Sequence, residues 1–269
     1  MMRRHEELYE LLFDYANLRT EVEQVLVGIN WTVCRAGAIG MAKTCLPARG
    51  NPSDRTMPLQ GRSVAELSQW LRKWDPCQAA IGLAAVNAAV NREADMVYME
   101  GALFKGRAAL QSSFDWFIPH LTEQQVVVAG HAATYFSRAG VSNVTRIEIP
   151  GAISPEAEIL LPKADWVFLP ADTIRDKTLP RLLELSTNAT CVLYGTELPW
   201  LDEWNEFGVD YLIGSQIDDP LLLNTLIAEG GARDDLATAL SYRVIAFNGI
   251  TQQTKLTPVA YGNRGLHLV

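Results

Sequence analysis

Apolar positions follow two different spacings along the chain, and the change falls near residue 125. In the first half, Leu8, Leu11, Leu12 and Tyr15 recur at helical spacing, which predicts an amphipathic helix over 6–18. Residues 22–34 are rich in β-branched side chains, and a second apolar stretch at 38–42 follows Arg35 and Gly37, a pattern that predicts a hairpin. The segment 47–58 combines Pro, Gly, Asn and Asp and predicts a loop. Ser63 with Glu66 forms a capping box ahead of the stripe Val64, Leu67, Leu71, giving a helix that ends near Trp74. Pro76 then opens a helix over 77–91, C-Q-A-A-I-G-L-A-A-V-N-A-A-V-N, whose small apolar side chains predict burial on nearly every side.

Beyond Gln125, short continuous apolar runs recur at 126–129, 144–149, 166–169, 191–194 and 211–213. Helical stretches fall between or after them at 132–139, 155–160, 179–185, 198–207 and 220–228. Alternation of this kind predicts a parallel sheet with right-handed crossovers, and unbroken runs such as Val126-Val127-Val128 predict strands covered on both faces. The expected fold is therefore α/β: a Rossmann-like parallel sheet with helices on both faces over 121–269, preceded by a smaller α+β domain over 1–120. Within the tail from Ala232, only 242–247 is β-prone, and its place in the fold stays open.

Composition narrows the functions. The chain has 269 residues, 48% apolar and 20% charged, with a formal net charge of -8. That field repels phosphate backbones, and no Lys/Arg run overrides it, so nucleic acid is not an expected partner. No apolar stretch reaches the roughly 18 residues of a membrane span, and Arg3-Arg4 lead into His5-Glu6-Glu7 rather than a signal sequence. Cys34, Cys45, Cys77 and Cys191 form no C-x-x-C pair. The expectation is a cytoplasmic protein, with a homo-oligomer left open.

Candidate chemistry lies beyond the carboxyl ends of the strands, where parallel sheets bind ligands. Those positions hold Gly130 and His131, Glu148, Asp172, Thr173 and Asp176, then Gly195, Thr196 and Glu197. The segment G-H-A-A-T-Y-F after the first run has one glycine and bulky neighbours, so classical NAD binding is disfavoured, although Glu148 lies near the spacing of a ribose-binding acid. His131 reads as an acid/base or metal ligand, or as a structural histidine. Asp172, Asp176 and Glu197 offer hard oxygens to a divalent cation, or cap helices. Asp218-Asp219 before Pro220 has the look of a metal pair, but the order Asp-Pro at a helix start reads as capping. Asn87 and Asn91, four apart in an apolar helix, share a face; they either cross-link the domains or line a site.

Three segments carry a resemblance: G-I-N-W-T-V (28–33), W-D-P-C-Q-A-A-I-G-L-A-A-V-N-A (74–88) and L-P-K-A-D-W-V-F-L-P-A-D-T-I-R-D-K-T-L-P-R-L-L-E-L (161–185). With V-L-Y-G-T-E-L-P (192–199) and G-V-D-Y-L-I-G-S-Q-I-D-D-P (208–220), they resemble the "putative heavy-metal chelation" family over roughly residues 20–231. The resemblance implies a first domain similar to the N-terminal domain of enolase, a Rossmann-like second domain and a site in the cleft between them. It would place Thr32 and Asn87 from the first domain, and Gly130, His131, Thr173, Thr178 and Gly195 from the second, at that site. The chain departs from the family pattern at Pro170-Ala171, Asp176 and Gly195-Thr196-Glu197, which adds acidic groups to the rim and predicts a more cation-friendly site. The expected function is binding of a metal ion or small metal-chelating molecule in the cleft. The alternatives are an enzyme on a small metabolite using His131, and a non-catalytic regulatory or partner-binding protein.

Overall fold

The computed structural model describes residues 7–45, 58–93, 101–149 and 151–247. The loop expected over 47–58 lies almost wholly outside them.

Helix α1 (Leu8–Tyr15) buries Leu8, Leu12 and Phe13. The expected hairpin is a three-stranded antiparallel meander of β1 (Gln24–Val27), β2 (Trp31–Arg35) and β3 (Ile39–Lys43). Ser63 Oγ accepts from the Glu66 amide at 3.1 Å and starts α2 (Val64–Ser68), which tightens into a 3-10 turn ending at Arg72. The apolar helix α3 (Pro76–Glu93) is buried continuously from Ala79 to Val90.

The small side chains of α3 are what let it lie against β3. A Cβ added at Gly40 would sit 2.0 Å from the Ala84 carbonyl oxygen and 2.2 Å from the Ala88 nitrogen, so strand and helix backbones touch there. This contact also serves a sheet edge, because among the described residues β3 has only β2 as a strand neighbour. Asn87 Nδ2 donates to the Met41 carbonyl at 2.7 Å and Asn91 Nδ2 to the Ile39 carbonyl at 2.8 Å. Four residues of helix rise about 6 Å and two residues of strand about 6.6 Å, so two asparagines at i and i+4 match alternate carbonyls of an edge strand.

The larger sheet has seven strands in the order β4 (Ala102–Phe104), β10 (Leu240–Ala246), β9 (Tyr211–Ile217), β8 (Thr190–Gly195), β7 (Trp166–Pro170), β5 (Val126–Ala129), β6 (Val144–Ile147). From β6 to β9 the pairings are parallel; β10 is antiparallel to both β9 and β4. The strand whose place was open is thus interior to the sheet. Strand β4 and α4 (Ala109–Asp115), which precede the boundary drawn at 120, pair with and cover this larger sheet.

Alternation along each apolar strand sorts its side chains onto the two faces. Val127, Val167, Leu169, Cys191 and Leu193 join a core that also contains Leu12, Leu67 and Ala84, so the small unit packs directly on one face. Helices α6 (Pro155–Leu160) and α8 (Leu179–Leu185) cover the same side. Val126, Val128, Trp166, Phe168 and Tyr194 face a second, aromatic core with Phe114, Phe117 and Phe136, from α4, the turn after it and α5 (Ala133–Arg138). The helix expected over 198–207 is confined to a 3-10 turn at Asp202–Phe207. Pro199 disfavours helical geometry at Leu198, and the segment is held instead by indole bonds, Trp204 Nε1 to the Pro199 carbonyl and Trp200 Nε1 to that of Ser215. Asp219 does cap α9 (Pro220–Ala228), accepting from the amides of Leu221 and Leu222.

Candidate functional site

The chain leaves β5 outward to β6 and returns across β5 to β7, so the order reverses between β5 and β7, where open α/β sheets form a crevice. Here the Tyr194 hydroxyl, from β8, reaches across the end of β7 and donates to the Ala129 carbonyl at 2.5 Å. Gly130, with φ of 78°, follows directly and turns the chain away. His131 is exposed, with Nδ1 3.3 Å from Arg146 Nη2, and Arg146 is ion-paired to the exposed Glu148. These three groups form a solvent-facing cluster of their own.

The loop after β7 joins the two units. Short helix α7 (Asp172–Arg175) begins with Thr173 bonding back to the Pro170 carbonyl at 2.5 Å. Arg175, buried, places Nε and Nη2 each 2.7 Å from Asp176 Oδ1 and Nη1 3.2 Å from the Lys43 carbonyl. Asp176 is therefore engaged by a cation in the seam; burial raises its pKa, and the adjacent guanidinium opposes that rise. The Thr178 hydroxyl is buried nearby without a partner among the described residues. Thr32, 1% exposed, shares a hydrogen bond of 2.9 Å with Thr44.

After β8, a Cβ at Gly195 would lie 2.6 Å from that of Ala171, so glycine permits the close approach of the two strand ends. Thr196 Oγ1 is 2.9 Å from the Tyr242 hydroxyl. Glu197, 5% exposed, has its pKa raised first by burial and then by the nearby Asp172 carboxylate, with Arg233 and Lys43 pulling the other way. Lys43 stands 3.6 Å from Asp172.

Beside this loop lies a cavity of about 480 Å3, in the size range of small-molecule sites. The β1–β3 meander, the end of α3, and the segments after β8 and at the end of β9 form its walls, with Glu23, Arg35, Asn87, Asn91, Thr196 and Ser215 among its lining. Asn87 is 2% exposed, and its amide nitrogen serves two carbonyls from different units, Met41 and Glu197, each at 2.7 Å. That assignment orients the amide and leaves Oδ1 as an acceptor. Asn87 Oδ1, Asn91 Oδ1 and Arg35 Nε are all buried without a partner among the described residues. Unpaired polar atoms of this kind cost stability unless something supplies their bonds.

Of the residues singled out from sequence, Asn87, Asn91 and Thr196 line this cavity. Gly195 and Glu197 flank Thr196 in the chain, and Asp172 stands near Lys43 and Glu197; Thr173, Thr178 and Asp176 lie on the seam; Thr32 sits within the small unit; Gly130, His131 and Glu148 lie at the β5–β6 end. The described residues bring together no group of three or more His, Cys, Asp or Glu placed to hold a metal. Sequence reasoning passed over Glu23, Arg35, Lys43 and Arg233. Only tertiary contact joins these to the rim, whereas the Asn87/Asn91 spacing in an apolar helix was a readable signal.

The fold and the cavity define a two-unit α/β protein with a cavity walled by strands of both sheets. Residues 9–90 and 112–246 match two family models, both described as "Putative heavy-metal chelation", and the chain belongs to that family. A DUF364-family protein of unknown function from Desulfitobacterium hafniense has the same fold, with TM-score 0.72 and 24% identity over 89% of this chain and 98% of its own. Another from Pyrococcus horikoshii has TM-score 0.68 and 15% identity over 91% and 100%. No curated protein matches the chain. No helix among the described residues is long and apolar enough to cross a membrane.

Proposed function

We propose that the chain binds a small metal-chelating molecule, free or metal-loaded, in the cavity between the meander and the larger sheet. The observation that carries this reading is Asn87: both units use its amide donors, while its oxygen is buried without a partner among the described residues, in a side chain that lines the cavity. Asn91 repeats the arrangement one helical turn on, about 6 Å away by helix rise. Two acceptors at this spacing suit a ligand with N–H or O–H donors, and Arg35 supplies a guanidinium donor for its carboxylate or other oxyanion. A chelator fits this set better than a bare ion, because the metal's coordination would come from the ligand and not from clustered carboxylates. Asp172 and Glu197 add the acidic rim that favours a metal-loaded, cationic form. The enolase-like first unit, the Rossmann-like character of the second and a cytoplasmic location belong to this reading through the family resemblance. His131 stands apart from the cavity, which leaves the enzymatic reading secondary.

The test is thermal unfolding of the full chain against hydroxamate, amino-polycarboxylate and polyamine chelators, each alone and loaded with Fe(III) or Ni(II). A ligand at 100 times its Kd stabilises by about 2.7 kcal/mol. Stabilisation by one class that disappears in Asn91→Leu and Arg35→Gln is the expected result. Absence of stabilisation by every class, or stabilisation that both variants retain, overturns the reading.

A further inference from the structure

A second cavity, of about 260 Å3, lies on the aromatic face of the larger sheet, outside the cleft. Three arginines from separate elements line it: Arg107 ahead of α4, Arg138 at the end of α5, and Arg233 after α9. Tyr135, Tyr242 and Asp234 complete the polar wall. Among the described residues none of these arginines forms an ion pair, although the protein carries a net charge of -8 and the surface arginines at 62, 72, 146 and 181 are each matched to a carboxylate. Arg233 is half-buried and its Nε is enclosed without a partner. Burial works against its cation, and the nearby Glu197 carboxylate favours it.

Two of the walls are held by contacts of their own. Tyr135 stacks on Phe114 with ring centroids 5.0 Å apart, and the Tyr242 hydroxyl is fixed at 2.9 Å from Thr196 Oγ1. Arg107 and Arg138 are exposed and share the cavity with Arg233, so three like charges converge on one space that a bound anion would join. Three guanidiniums against the single Asp234 carboxylate leave a lining charge of +2 (3 − 1). A phosphate group near neutral pH carries about -1.5 to -2 and accepts several forked N–H donors.

We propose that this cavity is a binding site for a phosphate dianion, as inorganic phosphate or as the terminal group of a phosphate monoester, held by Arg107, Arg138 and Arg233. It is distinct from the cleft, yet Thr196 lines the cleft and its bonded partner Tyr242 lines the arginine cavity, so one hydroxyl pair forms the wall between the two.

Isothermal titration of the full chain with inorganic phosphate, ribose 5-phosphate and citrate tests this, with Arg107→Gln and Arg138→Gln as exposed variants that leave the core intact. The expected result is saturable 1:1 binding of phosphate or the monoester, weakened at least tenfold in each variant and unchanged in Asn91→Leu. Tighter binding of the monoester than of phosphate would mark an organic ligand, and the reverse the free ion, either supporting the site. No saturable phosphate binding, binding that both arginine variants retain, or arginine-dependent binding of citrate alone overturns the proposal.

Discussion

Replacing Asn87 by leucine, which keeps the side-chain volume and removes the amide, isolates what that amide does. Wild type has two buried carbonyls satisfied by Nδ2, those of Met41 and Glu197, and one buried Oδ1 left unpaired. The leucine variant orphans both carbonyls and relieves the orphaned Oδ1, a net change of one unsatisfied acceptor, worth about 1–3 kcal/mol. Asn91 provides the internal control. Its Nδ2 serves one carbonyl, that of Ile39, and its Oδ1 is also unpaired, so Asn91→Leu loses one acceptor's bond and removes one orphan. The net is close to zero. Urea unfolding of both variants, read by tryptophan fluorescence, should therefore show a midpoint falling clearly for Asn87→Leu and within about 0.5 kcal/mol of wild type for Asn91→Leu. Equal losses in the two variants would refute the acceptor count, and with it the claim that Asn87 clamps the two units while presenting a free oxygen.

Two further outcomes follow from the charged groups on the seam. The neutral form of the Glu197 carboxyl persists to higher pH in the folded chain than in the unfolded one, so its stabilising contribution is present below the ordinary glutamate range and is lost as pH rises through the raised pKa. Glu197→Gln should gain stability over wild type progressively from acid to neutral pH in thermal melts, and parallel pH profiles would contradict that. Asp176→Asn removes the charge facing the buried Arg175 and should cost about 1–3 kcal/mol. The loss should be the same in chelator and in added divalent metal; a loss seen only with metal would make Asp176 a ligand and not a seam residue.

Most of the architecture was legible because it depends on local regularities. The run Val126–Ala129 is four buried residues in sequence, and only a strand covered on both faces accommodates that. Ser63, Asp219 and the Ala-rich α3 behave as their residue types dictate. The site was legible only in part. Asn87 and Thr196 could be flagged, one by its polarity in an apolar helix and the other by its place after a strand. His131 and Glu148 occupy equivalent loop positions and yet pair with Arg146 in solvent, because β6 is the edge strand of the sheet.

The sequence by itself determined the alternation of strands and helices, the caps and the small-residue helix, since each follows from the period of apolar positions within a dozen residues. Tertiary structure alone decided that β10 runs antiparallel inside the sheet and that Asp176 meets Arg175's guanidinium in a buried seam. It also decided that Arg35 faces Asn87 and Asn91 across one cavity, and that Arg107, Arg138 and Arg233 line another. The physical reason is that pairing and unpaired charge depend on which distant segments share a wall, and no local period encodes that distance.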